Sequence, residues 1–205
     1  MKINYIYILD LEYLSWSLKS AQNIFFRKKS QPPEIIQLGL IKLSLKNFKS
    51  INHLNLYVQP KINDIPKRIT NLTGITKKLI LSKGITFDKA ITKTFKFLDK
   101  KSIIICNGSD DKILKINFKI NKINLNFYKK KILFYDFSKI LKKLNPLIKT
   151  NTDKLTKLFN LKLKIKPHNA INDCRIIIEV LKKIKKDVGK NSLTIEIMDN
   201  LKKFN

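Results

Sequence analysis

The chain opens with INYIYILDLEYL, where apolar residues fill nearly every position over residues 3–12. A strand apolar on both faces belongs in a sheet covered on both sides. Similar stretches follow at about 34–46 and 51–58, joined by KNFKS, which is short enough for a hairpin. The connection KSAQNIFFRKKSQPP is polar, basic and closed by paired prolines, so it reads as a loop. Beyond Val58, Pro60, Pro66 and Gly74 break the chain into short helices and turns. Phe87, Ala90, Ile91, Thr94, Phe95 and Leu98 then recur at helical spacing. SIIIC reads as a fourth strand, leading through Asn107-Gly108 to Ser109 as a helix cap, with Asp110 and Asp111 at the positive end of the helix that follows. KILFYD is a fifth strand, with helices predicted at 137–144 and 152–159, parted by Asn145-Pro146. A long helix from about Asn169 to Lys185 carries Ala170, Asp173, Ile176, Ile177, Val180 and Leu181 on one face. This order predicts an α/β fold, a mixed five-stranded sheet flanked by helices, with a domain over 1–185 and an extension over 186–205 that forms a short terminal helix.

Carboxylates interrupt this pattern where apolar residues are expected. Asp10 and Glu12 end the first strand and project from one face about 7 Å apart along the backbone. Two ionised carboxylates in an apolar layer need a positive partner between them, and a divalent metal is the usual one. Asp111 follows the fourth strand, and Asp173 lies on the apolar stripe of the last helix with His168 just before it. His53, inside the hairpin, has no such company and reads as an ordinary surface or core residue.

Composition narrows the partner. The 43 basic and 15 acidic residues leave a net charge of +28, which favours a polyanion. Only Arg27, Arg68 and Arg175 are arginines, and Lys, Ile and Asn abound, as an A+T-rich coding sequence would dictate; part of the charge therefore reflects coding drift. No apolar stretch is long enough to cross a bilayer, and the apolar start is broken by Asp10 and Glu12 without a cleavage site. A cytoplasmic protein is expected, with Cys106 and Cys174 as packed thiols rather than metal ligands.

Taken in order, the motifs resemble those of the DEDDh exonucleases, the 3′-to-5′ exonuclease superfamily whose fold is similar to ribonuclease H. DLE at Asp10 to Glu12 matches the first motif and HNAIND from His168 to Asp173 matches the third. The second motif places its Asp four residues after an Asn or three after a Gly, and in CNGSDD both offsets fall on Asp111 and leave Asp110 as a neighbour. DLEY, PEIIQLGLIKL, YVQP and LTGIT occur in the order of the KapD-like and Eri-type exoribonuclease branch, and the resemblance spans about residues 5–183. Asn107 stands where that branch commonly has Trp, and Asn172-Asp173-Cys174 where it commonly has Asp-Asp-Ala.

The resemblance implies two Mg²⁺ ions, with Mn²⁺ able to substitute, held by Asp10, Glu12, Asp111 and Asp173, and His168 as the general base toward water. It implies a terminal-nucleotide pocket involving Leu72, Thr73 and Gly74 of LTGIT, with Tyr13, Asn107 and the stacking surface of Trp16 as further substrate-binding candidates. The expected partner is a nucleic acid with a free 3′ end, RNA favoured over DNA, and the product a nucleoside 5′-monophosphate. A DNA-directed exonuclease and a binding protein without strong catalysis are the alternatives.

Overall fold

The computed structural model describes residues 4–15, 31–124, 131–144 and 146–187. Its sheet has the order β3-β2-β1-β4-β5, formed by β1 (Tyr5–Tyr13), β2 (Ile35–Ser44), β3 (Ser50–Tyr57), β4 (Lys101–Cys106) and β5 (Lys131–Asp136). β1 pairs antiparallel with β2 and β2 with β3, while β4 runs parallel to both β1 and β5. The described helices are α1 (Lys67–Thr73), α2 (Lys77–Lys83), α3 (Phe87–Phe97), α4 (Asp110–Ile120), α5 (Phe137–Leu144), α6 (Thr152–Leu158) and α7 (Ala170–Asp187). None is long and apolar enough to cross a membrane. The predicted elements are present with ends shifted by a residue or two; Trp16 and the expected terminal helix lie outside the described residues.

Strand alternation sorts the core into two layers. Ile6 and Ile8 of β1, with Ile41, Leu43, Ile103 and Ile105, pack beneath α5, α6 and α7. Tyr7, Leu9 and Leu11 face the other way, with Leu38, Leu40 and Ile104 beneath α3 and α4. Leu14 and Ile36 form a smaller cluster with Ile69, Ile75 and Ile80, docking α1 and α2 beside the end of β1. Both thiols are buried; Cys174 Sγ lies 3.4 Å from the carbonyls of Ile8 and Gly39, and burial raises the pKa of each.

Candidate active site

Because Ile6 and Ile8 point toward α7, the period of two sends Asp10 and Glu12 to the same face. They are 9% and 8% exposed, and their partners across the antiparallel ladder are Gly39 and Gln37. α7 crosses β2 there at unusually short range. A Cβ on Gly39 would lie 2.5 Å from the carbonyl carbon of Ala170 and 2.7 Å from the nitrogen of Ile171, so only glycine lets the helix approach this closely. Gln37, fully buried, accepts the Ala170 N–H on Oε1 at 3.1 Å and donates through Nε2 to Asn55 at 2.9 Å.

The first turn of α7 is thereby set against β1 and β2, and it presents Asp173, 4% exposed, to the two strand carboxylates. His168 occupies the turn before the helix with φ of 61°, a left-handed conformation uncommon for a residue with a Cβ. Its backbone N–H donates to Asp173 Oδ2 at 3.2 Å. Glu12, His168 and Asp173 each offer a metal-ligating atom, and these atoms lie within 4.8 Å of one another.

The fourth carboxylate arrives from β4, whose parallel pairing of Cys106 with Leu9 brings its carboxyl end out beside Asp10. The chain turns at Gly108, φ 88°, whose N–H donates to Asp136 Oδ1 at 3.0 Å; the same oxygen accepts from Ser138 N–H at 2.9 Å. Ser109 stands at the cap position of α4 but makes no side-chain cap bond, contrary to expectation.

α4 buries Asp110, Ile113, Leu114, Asn117 and Phe118, one helical stripe that begins with Asp110. Asp111 is rotated about 100° from it. Motif offsets predict Asp111 as the inward carboxylate; the structure turns Asp110 inward instead, 5% exposed. Asp111 pairs with Lys115 at 3.4 Å and lines a cleft of about 500 Å³ with Gly108, Ser109, Lys112 and Asp136.

Burial is the largest cause raising the pKa of each inward carboxyl. Asp10 is pushed well above the usual carboxylate range by burial and then by Asp110, Asp173 and Glu12. Asp110 is raised by burial, then by Glu12 and Asp111. Glu12 rises to about 8 through burial and the charge of Asp173. Asp173 rises to about 7, with the Thr152 hydroxyl and the His168 N–H acting in the opposite direction. Two buried oxygens, Asp110 Oδ2 and Asp173 Oδ1, have no hydrogen-bond partner. Buried hard oxygen donors with unsatisfied lone pairs and mutual repulsion are what a divalent cation would resolve, so this donor set fits Mg²⁺ or Mn²⁺. Burial lowers the pKa of His168, with Asp153 opposing and Lys166 assisting.

The expected substrate residues are placed unevenly. Tyr13 is half-buried at the end of β1; Leu72 is 37% exposed, and Gly74 closes α1 in the left-handed region with φ 77°. Thr73 is buried, its hydroxyl donating to Ile69 O at 2.8 Å and accepting from Ile75 N–H at 3.0 Å, which leaves it turned inward. Asn107 donates from Nδ2 to Thr150 O at 2.7 Å, tying the turn after β4 to the segment before α6.

The RNase T exonuclease family model matches residues 8–181. The chain belongs to that family. No curated protein sequence matches the chain. Among solved structures, the nuclease domain of 3′hExo, a DEDDh member bound to rAMP, aligns with this RNase T-family chain at a TM-score of 0.71 and 20% identity, covering 90% of this chain and 92% of that one. Cell-death related nuclease 4 (CRN-4) gives 0.70 and 21% over 89% of this chain and 64% of its own, so the chain spans less than two thirds of it. The E. coli exonuclease I complex with single-stranded DNA gives 0.67 and 17% over 90% and 41%. At such identities the likeness carries the fold, which is RNase H-like.

Proposed function

We propose that the protein is a divalent-metal-dependent 3′-to-5′ exonuclease that releases nucleoside 5′-monophosphates from the free 3′ end of a single strand, with RNA favoured. The observation that carries this reading is that four buried carboxylates from β1, α4 and α7, two of them with unpaired oxygens, lie close enough to raise one another's pKa, with the His168 imidazole beside Glu12 and Asp173. Asp10, Glu12, Asp110 and Asp173 would hold two Mg²⁺ ions. When bound, such a pair activates water and stabilises the departing 3′ oxygen of an in-line displacement.

The chain's own residues do the rest. His168, with its pKa lowered, is neutral near pH 7 and accepts the proton of the attacking water without adding a negative charge to the cluster. Its left-handed backbone and N–H bond to Asp173 hold the imidazole beside the carboxylates it serves. Leu72 and the exposed backbone of Gly74, docked through Ile69 and Ile75 at the end of β1, offer an apolar edge for the terminal base. Asp111 lines the adjoining cleft rather than the cluster.

Support for RNA comes from the order of DLEY, PEIIQLGLIKL, YVQP and LTGIT, and from 3′hExo, whose structure holds rAMP. The test uses 5′-labelled RNA and DNA of one sequence with Mg²⁺. Stepwise shortening of the RNA, blocked by a 3′-phosphate and abolished by chelator, is expected. Cleavage within a circular RNA, or faster shortening of the DNA, rejects the assignment in favour of an endonuclease or a DNA-directed enzyme.

A further inference from the structure

Between α6 and α7 the chain runs through LKLKIK as neither helix nor strand, directly into Pro167 and His168. Its side chains alternate: Leu161, Leu163 and Ile165 are half-buried against the core beneath α7, and Lys162, Lys164 and Lys166 are exposed. Alternate residues of an extended chain lie about 7 Å apart on one side. Both ends are tied down. Leu161 N–H donates to Thr156 O at 2.9 Å, and Asn172 Nδ2, one residue before Asp173, donates to Lys166 O at 3.0 Å.

These lysines are distinguished from the general excess by their place, alternating along a segment that leads into His168. Lys42, Lys77, Lys115 and Lys182 are paired with acidic groups, and α3 spaces Lys89, Lys93 and Lys96 along a helix facing away from α7. Among the described residues, none of the three ammonium groups of this lysine ladder, Lys162, Lys164 and Lys166, is held in an ion pair. Three such cations along one side of the segment repel one another, and a row of phosphates relieves that repulsion. The spacing is comparable with that of successive phosphates along an extended single strand, whereas the phosphates of a duplex wind away from a straight line.

We propose that Lys162, Lys164 and Lys166 form a phosphate rail that receives single-stranded nucleic acid upstream of its 3′ end and leads it to the cluster at His168. The destination of the strand rests on the exonuclease reading above; the rail itself does not require turnover. Contacts to phosphate do not read the sugar, so RNA and DNA single strands should both use it.

The test is binding of a fluorescent single strand of about 20 nucleotides, followed by anisotropy in chelator over a salt series. Each phosphate contact on a single strand contributes about 0.7 to the slope of log K against log salt. Replacing Lys162, Lys164 and Lys166 together by Gln should therefore reduce the slope by about 2 and weaken binding on the order of tenfold. Their joint replacement by Arg should retain both. Replacing Lys89, Lys93 and Lys96 by Gln removes the same net charge and should change the slope by less than half as much. Equal slope losses in the two Gln variants, or no loss at the ladder, overturn the rail. Because binding is read without metal, a protein that uses the rail yet cleaves nothing in Mg²⁺ removes the exonuclease reading alone, and one that cleaves normally with an unchanged ladder slope removes the rail alone.

Discussion

Gly39→Ala adds a single methyl group, and it does so at the closest approach between the sheet and α7. The new Cβ would stand 2.5 Å from Ala170 C, 2.7 Å from Ala170 O and 2.7 Å from Ile171 N, all backbone atoms of the helix that carries Asp173. Ordinary contact between such atoms is about 3.5 Å or more, so α7 must move off by about 1 Å. The movement stretches the 3.1 Å bond from Ala170 to Gln37 and the 3.4 Å contacts of Cys174 with Ile8 and Gly39. It also opens the gap between Asp173 and the strand pair Asp10 and Glu12. Overpacking of this size destabilises by about 1–3 kcal/mol. A displacement of about 1 Å within a catalytic constellation lowers turnover on the order of 100-fold. The assay is steady-state shortening of labelled RNA, with thermal unfolding measured in parallel. Loss of turnover well beyond the loss of folded protein is expected. Wild-type kcat and an unchanged Tm would falsify the claim that glycine at this position sets the helix against the site.

Asp110→Asn should remove nearly all turnover and Asp111→Asn should be mild, because only Asp110 is turned into the cluster; kinetics showing the reverse would restore the motif-offset assignment. His168→Ala should lower kcat by about 10²–10⁴ while Mg²⁺ binding measured by calorimetry is retained, and an unchanged kcat would exclude it as the base. In chelator, stability should fall as pH rises. The folded pKa of Glu12 stands at about 8 against an ordinary 4.5, and that of Asp173 at about 7 against 3.8, so between about pH 4 and pH 8 the folded state holds protons that the unfolded state has released. Added Mg²⁺ should restore Tm most at the alkaline end; a chelated Tm that stays flat or rises from about pH 5.5 to about pH 8.5 contradicts this linkage. Glu34→Gln should loosen the loop before α1, since one buried carboxylate accepts from the backbone N–H groups of Lys61, Ile62 and Asn63; faster amide exchange over residues 61–63 is the expected readout, and unchanged exchange counts against it.

The order of elements was open to reading from periodicity, because a strand apolar on both faces and a helix with one apolar stripe leave different spacings in the chain. The same rule made Asp10, Glu12 and Asp173 conspicuous: each is a carboxylate at a position whose neighbours are core residues. It could have discriminated Asp110 from Asp111 too, since Ile113, Leu114, Asn117 and Phe118 extend the stripe from Asp110, but counting from Asn107 and Gly108 measures distance along the chain and not the face a helix turns inward. What the sequence did not carry was proximity between residues far apart in it. The contact of Gly39 with Ala170, the bond from Ala170 to Gln37, and the anchoring of Gly108 by Asp136 join different elements. No local spacing encodes them, because each depends on how closely two separately formed surfaces pack. Local alternation selected the carboxylates, and the tertiary packing of α4 and α7 around the carboxyl end of β1 decided which of them meet.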